Sequence, residues 1–230
     1  MSGLPLIQIK KTADGSNTLY DPALDETYHS LNGALSESYH VYIKHGLLRQ
    51  LPSCGHSINI LEIGFGTAMN ALLCLEHLPD AVSCNYFSLE PFPLEKSLIH
   101  AYYEGFSEKP ARLNVLDKML DSFNAWQNIH PDFQMMVSGL KLEALTNNSV
   151  PETVKPFDLV FYDAFAPSRQ PEMWSLSSLE KVKSLMRSGG LLTTYCAQGQ
   201  FKRNLKELGF KLEHPQGANG KREMTLAFKL

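Results

Sequence analysis

The stretch that most constrains the fold runs from Ile58 to Asn70 and reads INILEIGFGTAMN. Four of its first six residues are aliphatic, as is typical of a short buried parallel strand. Gly64 and Gly66 then bracket Phe65, and a helical pattern begins at Met69. Strand, glycine turn and helix form the first unit of a nucleotide-binding α/β domain. The glycines let the backbone approach a ligand, and the helix N-terminus offers free N–H groups.

The residues around this turn favour S-adenosylmethionine (SAM) over a dinucleotide. A dinucleotide fingerprint needs a third glycine where this chain has Met69. Glu62 interrupts the strand near its end, and a carboxylate there can attract the ammonium or sulfonium charge of SAM. The heptapeptide LEIGFGT resembles the first motif of class I SAM-dependent methyltransferases, although a glycine turn without a ligand is the alternative. We therefore expect Glu62, Gly64, Gly66 and Thr67 to frame SAM.

Composition is consistent with one α/β domain and an added N-terminal segment. The chain has 230 residues, 43% of them hydrophobic. We predict an N-terminal extension over residues 1–57, a hairpin and a helix packed on the core. Residues 58–230 would form a Rossmann-like methyltransferase domain with a mostly parallel seven-stranded sheet.

No apolar run is long enough to span a bilayer, and the four cysteines lack C-x-x-C pairing. We expect a cytoplasmic protein with reduced thiols and neither a membrane nor a metal partner.

Two later strands are predicted to end beside the glycine turn. The strand Tyr86–Glu90 places Glu90 where this fold commonly binds ribose hydroxyls, although an exposed strand-end carboxylate is the alternative. The strand Phe133–Val137 is followed by a segment where many class I methyltransferases carry an acidic residue near the adenine. No Asp is present there, so we expect backbone groups around Gly139 and Leu140 to contact the adenine.

The strand Phe157–Asp163 ends in the most informative carboxylate of the sequence. Ligands of open α/β sheets bind at the carboxyl ends of strands, so Asp163 should face the same crevice as the glycine turn. An Asp followed by a small residue, an aromatic residue and a proline suits chemistry on an amine. Asp163 is thus the candidate catalytic residue and a SAM neighbour, with a loop-capping carboxylate as the alternative. Arg169 in the following loop is a candidate for a phosphate or an acidic group.

Charge is distributed unevenly along the chain. The formal net charge is −3, yet residues 181–230 hold ten Lys or Arg against three Asp or Glu. That part therefore carries +7 and the remainder −10. This asymmetry predicts a local phosphate-binding face, with basic solvated helix faces as the alternative.

In its motifs the chain resembles the methyltransferase domain of the MnmC family, the tRNA 5-methylaminomethyl-2-thiouridine biosynthesis proteins. The resemblance rests on LEIGFGT, on YDAFAP followed by PEMW at residues 162–174, and on GKREM at residues 220–224. It implies methyl transfer from SAM to the aminomethyl group of the wobble uridine in the tRNA anticodon loop. The flavin-dependent half of the bifunctional proteins is expected to be absent, because the sequence ends at Leu230. A separate protein would then supply the aminomethyl intermediate.

The resemblance also implies roles for the acceptor side. Asp163 would orient the amine and take its proton, and Phe165 or Tyr195 would stack on the splayed base. The residues expected to meet tRNA phosphates are Lys202, Arg203, Lys221 and Arg222. Three alternatives remain open: a polyamine synthase of the same fold, a small-molecule amine methyltransferase, and a non-catalytic SAM- or tRNA-binding protein.

Overall fold

The computed structural model of the chain describes residues 6–230. It has eleven strands in this part of the chain: β1 Gln8–Lys11, β2 Asn17–Asp21, β3 Glu26–Thr27, β4 Ser57–Ile63, β5 Ser83–Leu89, β6 Gln127–His130, β7 Phe133–Ser138, β8 Phe157–Tyr162, β9 Met186–Thr194, β10 Phe210–Glu213 and β11 Thr225–Lys229. The α-helices are α1 Ala34–Ser38, α2 Leu48–Gln50, α3 Met69–His77, α4 Lys96–Glu104, α5 Leu116–Leu120, α6 Leu176–Leu185 and α7 Gly199–Glu207. A π-helix, Tyr39–Leu47, joins α1 to α2. Short 3-10 helices cover Leu51–Ser53, Leu113–Val115, Leu142–Ala144, Asn147–Ser149, Glu152–Val154, Pro171–Trp174 and Ala218–Gly220.

The main sheet has the strand order β10-β11-β9-β8-β4-β5-β7-β6. The inner pairs β9–β8, β8–β4, β4–β5 and β5–β7 are parallel, and the outer pairs are antiparallel. The predicted α/β architecture with a mostly parallel sheet is confirmed. Because β4 lies at the centre, its carboxyl end and those of β5 and β8 open onto one edge of the sheet.

The sheet has one strand more than the seven predicted. The apolar residues of Ala111–Gln127 recur at helical spacing, which predicts a continuous helical face, but α5 ends at Leu120. Asn124 then adopts a left-handed conformation with φ +56°, which is incompatible with continued helix. The chain turns back there, and β6 pairs antiparallel with β7. Helical periodicity alone therefore predicts too long a helix, and it gives no sign of the edge strand β6.

The N-terminal hairpin and helix pack against this sheet. β1 and β2 form the predicted hairpin. Alternating apolar residues predict its first strand over Leu4–Lys10, of which Leu4 and Pro5 lie outside the described residues. The π-helix buries Val41, Ile43 and Leu47 in the same core as α3. π-Helical turns are rare and are often found at functional sites. The division of the chain at residues 57 and 58 stays a prediction.

Two hydrophobic cores cover the two faces of the sheet. Ile60 belongs to the core on one face, whereas Leu61 and Ile63 belong to the core on the other, as strand alternation requires. No helix among residues 6–230 combines the length and the apolar character needed to cross a bilayer. The four cysteines are free thiols, and within the described part of the chain no three metal-binding side chains cluster.

Candidate active site

A cavity of about 470 Å³ lies at the carboxyl ends of β4, β5 and β8. Its volume is within the range of roughly 300–1,000 Å³ that is usual for small-molecule sites. Five segments contribute most of its wall: residues 26–30, 64–67, 89–92, 140–143 and 163–166. The site therefore combines the glycine turn, three strand ends and part of the N-terminal segment.

The glycine turn brings the ends of β4 and β8 into close contact. Gly64 has φ +94° and Gly66 has φ +50°, a region that favours glycine. A Cβ atom on Gly64 would lie 2.6 Å from the carbonyl oxygen of Asp163. The absence of a side chain at Gly64 thus allows Asp163 to lie directly beside the turn.

Glu90 holds the second half of the turn. Its two carboxylate oxygens accept hydrogen bonds from the backbone N–H groups of Gly66 and Phe92, each at 3.0 Å. Burial raises the pKa of the Glu90 carboxyl, and the hydrogen bond from Gly66 opposes that shift. Each carboxylate oxygen retains a lone pair, so Glu90 can still accept hydrogen bonds from a ligand hydroxyl in the cavity.

The Asp163 carboxylate accepts hydrogen bonds from two neutral side chains that are distant along the chain. The Tyr42 hydroxyl donates to Oδ1 at 2.6 Å, and the Asn70 Nδ2 donates to Oδ2 at 2.8 Å. Burial raises the pKa of Asp163 to about 7, although both hydrogen bonds favour the ionised form. A carboxylate that titrates near neutral pH is well suited to accept a proton from a bound amine. Neither donor is among the site residues predicted from the sequence.

Aromatic side chains form one wall of the cavity. Phe165 packs edge-on against Tyr28 with ring centroids 4.9 Å apart. The Tyr195 hydroxyl donates to the Ala164 carbonyl at 2.7 Å, and Trp174 Nε1 donates to the Phe165 carbonyl at 2.8 Å. These hydrogen bonds fix the loop after Asp163. The rings of Phe165 and Tyr195, which are predicted to contact the acceptor, both line the cavity.

Most of the predicted substrate-binding cations have acidic partners. Lys221 lines the cavity, pairs with Glu37 there, and lies 5.5 Å from the centroid of the Tyr195 ring. Lys202 pairs with Glu223 at 2.8 Å.

The remaining three cations differ in their surroundings. Arg169 lies outside the cavity wall and pairs with Asp25 at 2.9 Å, which ties the loop after Asp163 to the turn between β2 and β3. Among residues 6–230, Arg203 and Arg222 have no acidic partner.

Six of the eight predicted SAM-binding residues line the cavity, namely Gly64, Gly66, Thr67, Glu90, Leu140 and Asp163. Glu62 and Gly139 do not. Glu62 is fully buried and accepts hydrogen bonds from Asn70 and Ser88. The Gly139 N–H donates to the side chain of Asn124 at 3.0 Å, so this amide is not free for an adenine.

Several residues that line the cavity carry a buried polar atom without a hydrogen-bond partner. Six buried side-chain nitrogen or oxygen atoms in the described residues have no hydrogen-bond partner. Four of them belong to cavity-lining residues: His29 Nδ1, Ser38 Oγ, Thr67 Oγ1 and Asn70 Oδ1. An unsatisfied buried polar group costs about 1–3 kcal/mol, so these atoms favour a ligand rich in donors and acceptors. The ammonium, carboxylate and ribose hydroxyls of SAM fit this set together with Glu90.

Comparison with known proteins agrees with this geometry. Residues 108–230 match the model of a family described as S-adenosyl-L-methionine-dependent methyltransferase. The chain is similar to the tRNA 5-methylaminomethyl-2-thiouridine biosynthesis bifunctional protein MnmC of Cupriavidus necator, with 29% identity over 219 residues, 90% of this chain and 32% of the relative. The protein of the same name from Leptospira interrogans is 30% identical over 214 residues, 88% of this chain and 32% of the relative. The chain thus spans about a third of the length of these relatives (32%).

A solved structure supports the fold. MNMC2 from Aquifex aeolicus superposes with a TM-score of 0.75 at 24% identity, over 97% of this chain and 70% of that chain. Together with the parallel sheet, this likeness confirms the predicted class I methyltransferase fold. The family match covers more than half of the chain and includes Asp163 and the loop that follows it. This protein therefore belongs to the S-adenosyl-L-methionine-dependent methyltransferase family.

Proposed function

We propose that this protein methylates the aminomethyl group of the wobble uridine in tRNA, giving methylaminomethyl uridine. The observation that carries the proposal is the Asp163 carboxylate, which lies beside the glycine turn, between two neutral donors and next to an aromatic wall. That arrangement suits an amine nucleophile. The printed names of the relatives, which concern tRNA 5-methylaminomethyl-2-thiouridine biosynthesis, support tRNA as the acceptor.

The chemistry requires a neutral amine. When bound, SAM supplies a methyl group on a sulfonium sulfur, and this sulfur keeps the C–S electron pair when an amine lone pair takes the methyl carbon. A free alkylammonium has a pKa of about 10, as for lysine, so the site must favour loss of a proton. Burial of the amine lowers its pKa, and Asp163 accepts the proton and passes it to solvent. The methylated amine leaves as an ammonium ion, so each turnover releases one proton.

The cavity residues divide between the two substrates in this proposal. Gly64, Gly66 and Thr67 hold the methionine part of SAM, Glu90 its ribose and Leu140 its adenine. Phe165 and Tyr195 flank the uracil ring, which must leave the anticodon stack to reach Asp163. Such splaying is easier in a single-stranded loop than in a duplex.

The tRNA backbone is proposed to cross the open groove beside the cavity. This groove is lined by residues 195–198 and 221–223 and shares Tyr195 and Lys221 with the cavity wall. Arg222 in the groove and Arg203 on α7 are the cations available for phosphates, because Arg169, Lys202 and Lys221 already have acidic partners. A tRNA acceptor places the enzyme in the cytoplasm, where a separate protein would supply the aminomethyl intermediate.

The N-terminal segment is proposed to complete the acceptor site. We infer that residues 58–230 form the methyltransferase domain and residues 1–57 an extension of it. Tyr28, Ser38 and Tyr42 of the extension line the same cavity as Asp163. The extension therefore contributes to the acceptor wall.

The test is transfer of labelled methyl from SAM to tRNA that carries aminomethyl uridine. We expect label at the wobble uridine, no label on fully modified tRNA, and loss of transfer in Asp163→Ala and Asp163→Asn. Binding of S-adenosylhomocysteine, measured by calorimetry, shows whether each variant keeps its cofactor site. Intact binding without transfer to tRNA would refute the tRNA assignment. Small amines assayed with SAM, and polyamine formation assayed with decarboxylated SAM, would then distinguish the other two enzyme classes.

A further inference from the structure

Glu62 has surroundings that do not match a cofactor ligand. Its side chain is fully buried beneath the cavity rather than on its wall. Oε1 accepts a hydrogen bond from Asn70 Nδ2 at 3.1 Å, and Oε2 accepts one from the Ser88 hydroxyl at 2.8 Å. Burial raises the pKa of Glu62 to about 8, against the opposing effect of the Ser88 hydrogen bond. Glu62 is therefore mainly neutral at neutral pH and offers no charge to a ligand.

Asn70 connects this buried acid to the catalytic candidate. Its Nδ2 group donates both to Glu62 Oε1 and to Asp163 Oδ2, at 3.1 Å and 2.8 Å. Both amide hydrogens are thereby used, and the carbonyl oxygen remains without a partner. Because Asn70 lies at the start of α3, directly after the glycine turn, its backbone is fixed by the same turn that frames SAM. Two bonds from one planar amide leave it little rotational freedom.

Tyr42 fixes the other oxygen of Asp163 from the opposite side. Its hydroxyl donates to Oδ1 at 2.6 Å. The Tyr42 ring packs against Phe161 of β8, with centroids 5.3 Å apart, and is only 2% exposed. A buried ring of this kind holds its hydroxyl in place, so each oxygen of the Asp163 carboxylate has one donor from a rigid element.

We propose that Tyr42, Asn70 and Glu62 are positioning residues that hold the Asp163 carboxylate towards the acceptor amine, with Glu62 acting only through Asn70. This inference rests on the proposed function of Asp163. It reassigns Glu62 from a SAM contact to a neutral support of the acceptor site. Misplacement of a reacting group by about 1 Å can cost on the order of 100-fold in rate, so such support has a measurable effect.

The first experiment compares Glu62→Ala with Glu62→Gln. Alanine removes the acceptor for Asn70, whereas glutamine is neutral and keeps it. We expect kcat to fall by about 10- to 100-fold in Glu62→Ala and to recover most of that loss in Glu62→Gln. Calorimetric binding of S-adenosylhomocysteine, which carries the same ammonium group as SAM, should change by less than about threefold in Glu62→Gln, a difference of under 1 kcal/mol. Equal loss of this binding in both variants would overturn the proposal and restore Glu62 as a cofactor ligand.

The second experiment follows the ionisation of Asp163. The charged and titratable groups around it are Glu37 on α1, Tyr42 on the π-helix, Glu62 on β4, Tyr195 after β9 and Lys221 on the C-terminal loop. Tyr42→Phe removes a hydrogen-bond donor that favours the ionised Asp163 carboxylate, so the pKa of Asp163 should rise. The acidic limb of the pH dependence of kcat/KM should then move to higher pH. Tyr102→Phe is the matched control, because Tyr102 is equally buried, makes no hydrogen bond to Asp163 and lies outside the cavity wall.

A direct titration separates this proposal from the proposed function. The Asp163 carboxyl is followed by ¹³C NMR in protein labelled at aspartate, and its resonance is assigned with Asp163→Asn. The pH midpoint of its titration should rise in Tyr42→Phe and stay unchanged in Tyr102→Phe. An unchanged midpoint in Tyr42→Phe would overturn the positioning role, whatever the acceptor. A raised midpoint in an enzyme that does not methylate tRNA would retain the network and refute only the tRNA assignment.

Discussion

The buried carboxyl of Glu62 makes the stability of this protein depend on pH in a predictable direction. Its pKa is raised from 4.5 to about 8 by burial. As pH rises through this window, the unfolded chain loses the Glu62 proton while the folded chain retains it. The free energy of unfolding therefore falls with rising pH, by up to about 1.4 kcal/mol per pH unit. At about pH 7 the accumulated loss from this one group is about 3 kcal/mol.

Replacement of Glu62 by glutamine removes this loss, because the amide does not ionise in either state. We expect Glu62→Gln to have a higher free energy of unfolding than the wild type, with a difference that grows from about pH 5 to about pH 8. Urea unfolding at several pH values measures it, with unchanged m-values as a check on two-state behaviour. Glu180→Gln, on the exposed surface of α6, serves as the control. Parallel stability curves for the wild type and Glu62→Gln would show that Glu62 is ionised in the folded protein and refute the reasoning.

Three further predictions concern the turn, the cavity and the groove. Gly64→Ala should destabilise more than Gly55→Ala in thermal unfolding. Both positions have positive φ, which costs alanine about 1–2 kcal/mol, but only at Gly64 would the new Cβ meet a backbone oxygen, at 2.6 Å. Burial raises the pKa of Asp163 and the Lys221 charge opposes it, so Lys221→Met should move the acidic side of the kcat/KM profile to higher pH. Arg222→Gln should reduce the salt dependence of tRNA binding by about one released counterion in a filter-binding titration.

The central strands and the catalytic candidate could be predicted from the sequence because both follow from local pattern. Apolar runs that end in a polar residue predicted β4, β5 and β8, and the carboxyl-end rule placed Glu90 and Asp163 at one crevice. The edge strand β6 has no such pattern. Two of its four residues are exposed and only Ile129 is buried, so the preceding helical spacing dominated the interpretation.

The partners of Asp163 could not be paired with it from sequence because they are distant along the chain. Tyr42 lies 121 residues away, on a helical face shared with Tyr39 and Ile43 that nothing in the sequence links to Asp163. Asn70 lies 93 residues away, yet it had a recognisable signature as a single amide among the apolar residues at the start of a buried helix. Lys221 is predicted to meet tRNA phosphates, but its partner Glu37 is 184 residues away along the chain. Charge patterns identify basic segments, but they do not show which cations the fold neutralises.

Strand geometry explains why the Glu62 side chain is buried whereas the Glu90 side chain lines the cavity. Side chains alternate along β4, and Leu61 and Ile63 point into one core while Ile60 points into the other. Glu62 must therefore point to the same face as Ile60, which α3 covers, and so it meets Asn70 beneath the cavity. Glu90 comes one residue after β5 ends, where the chain leaves the sheet and its carboxylate reaches the crevice. Glu62 lies within β4 and is therefore buried beneath the cavity, whereas Glu90 lies just beyond the end of β5 and lines the cavity.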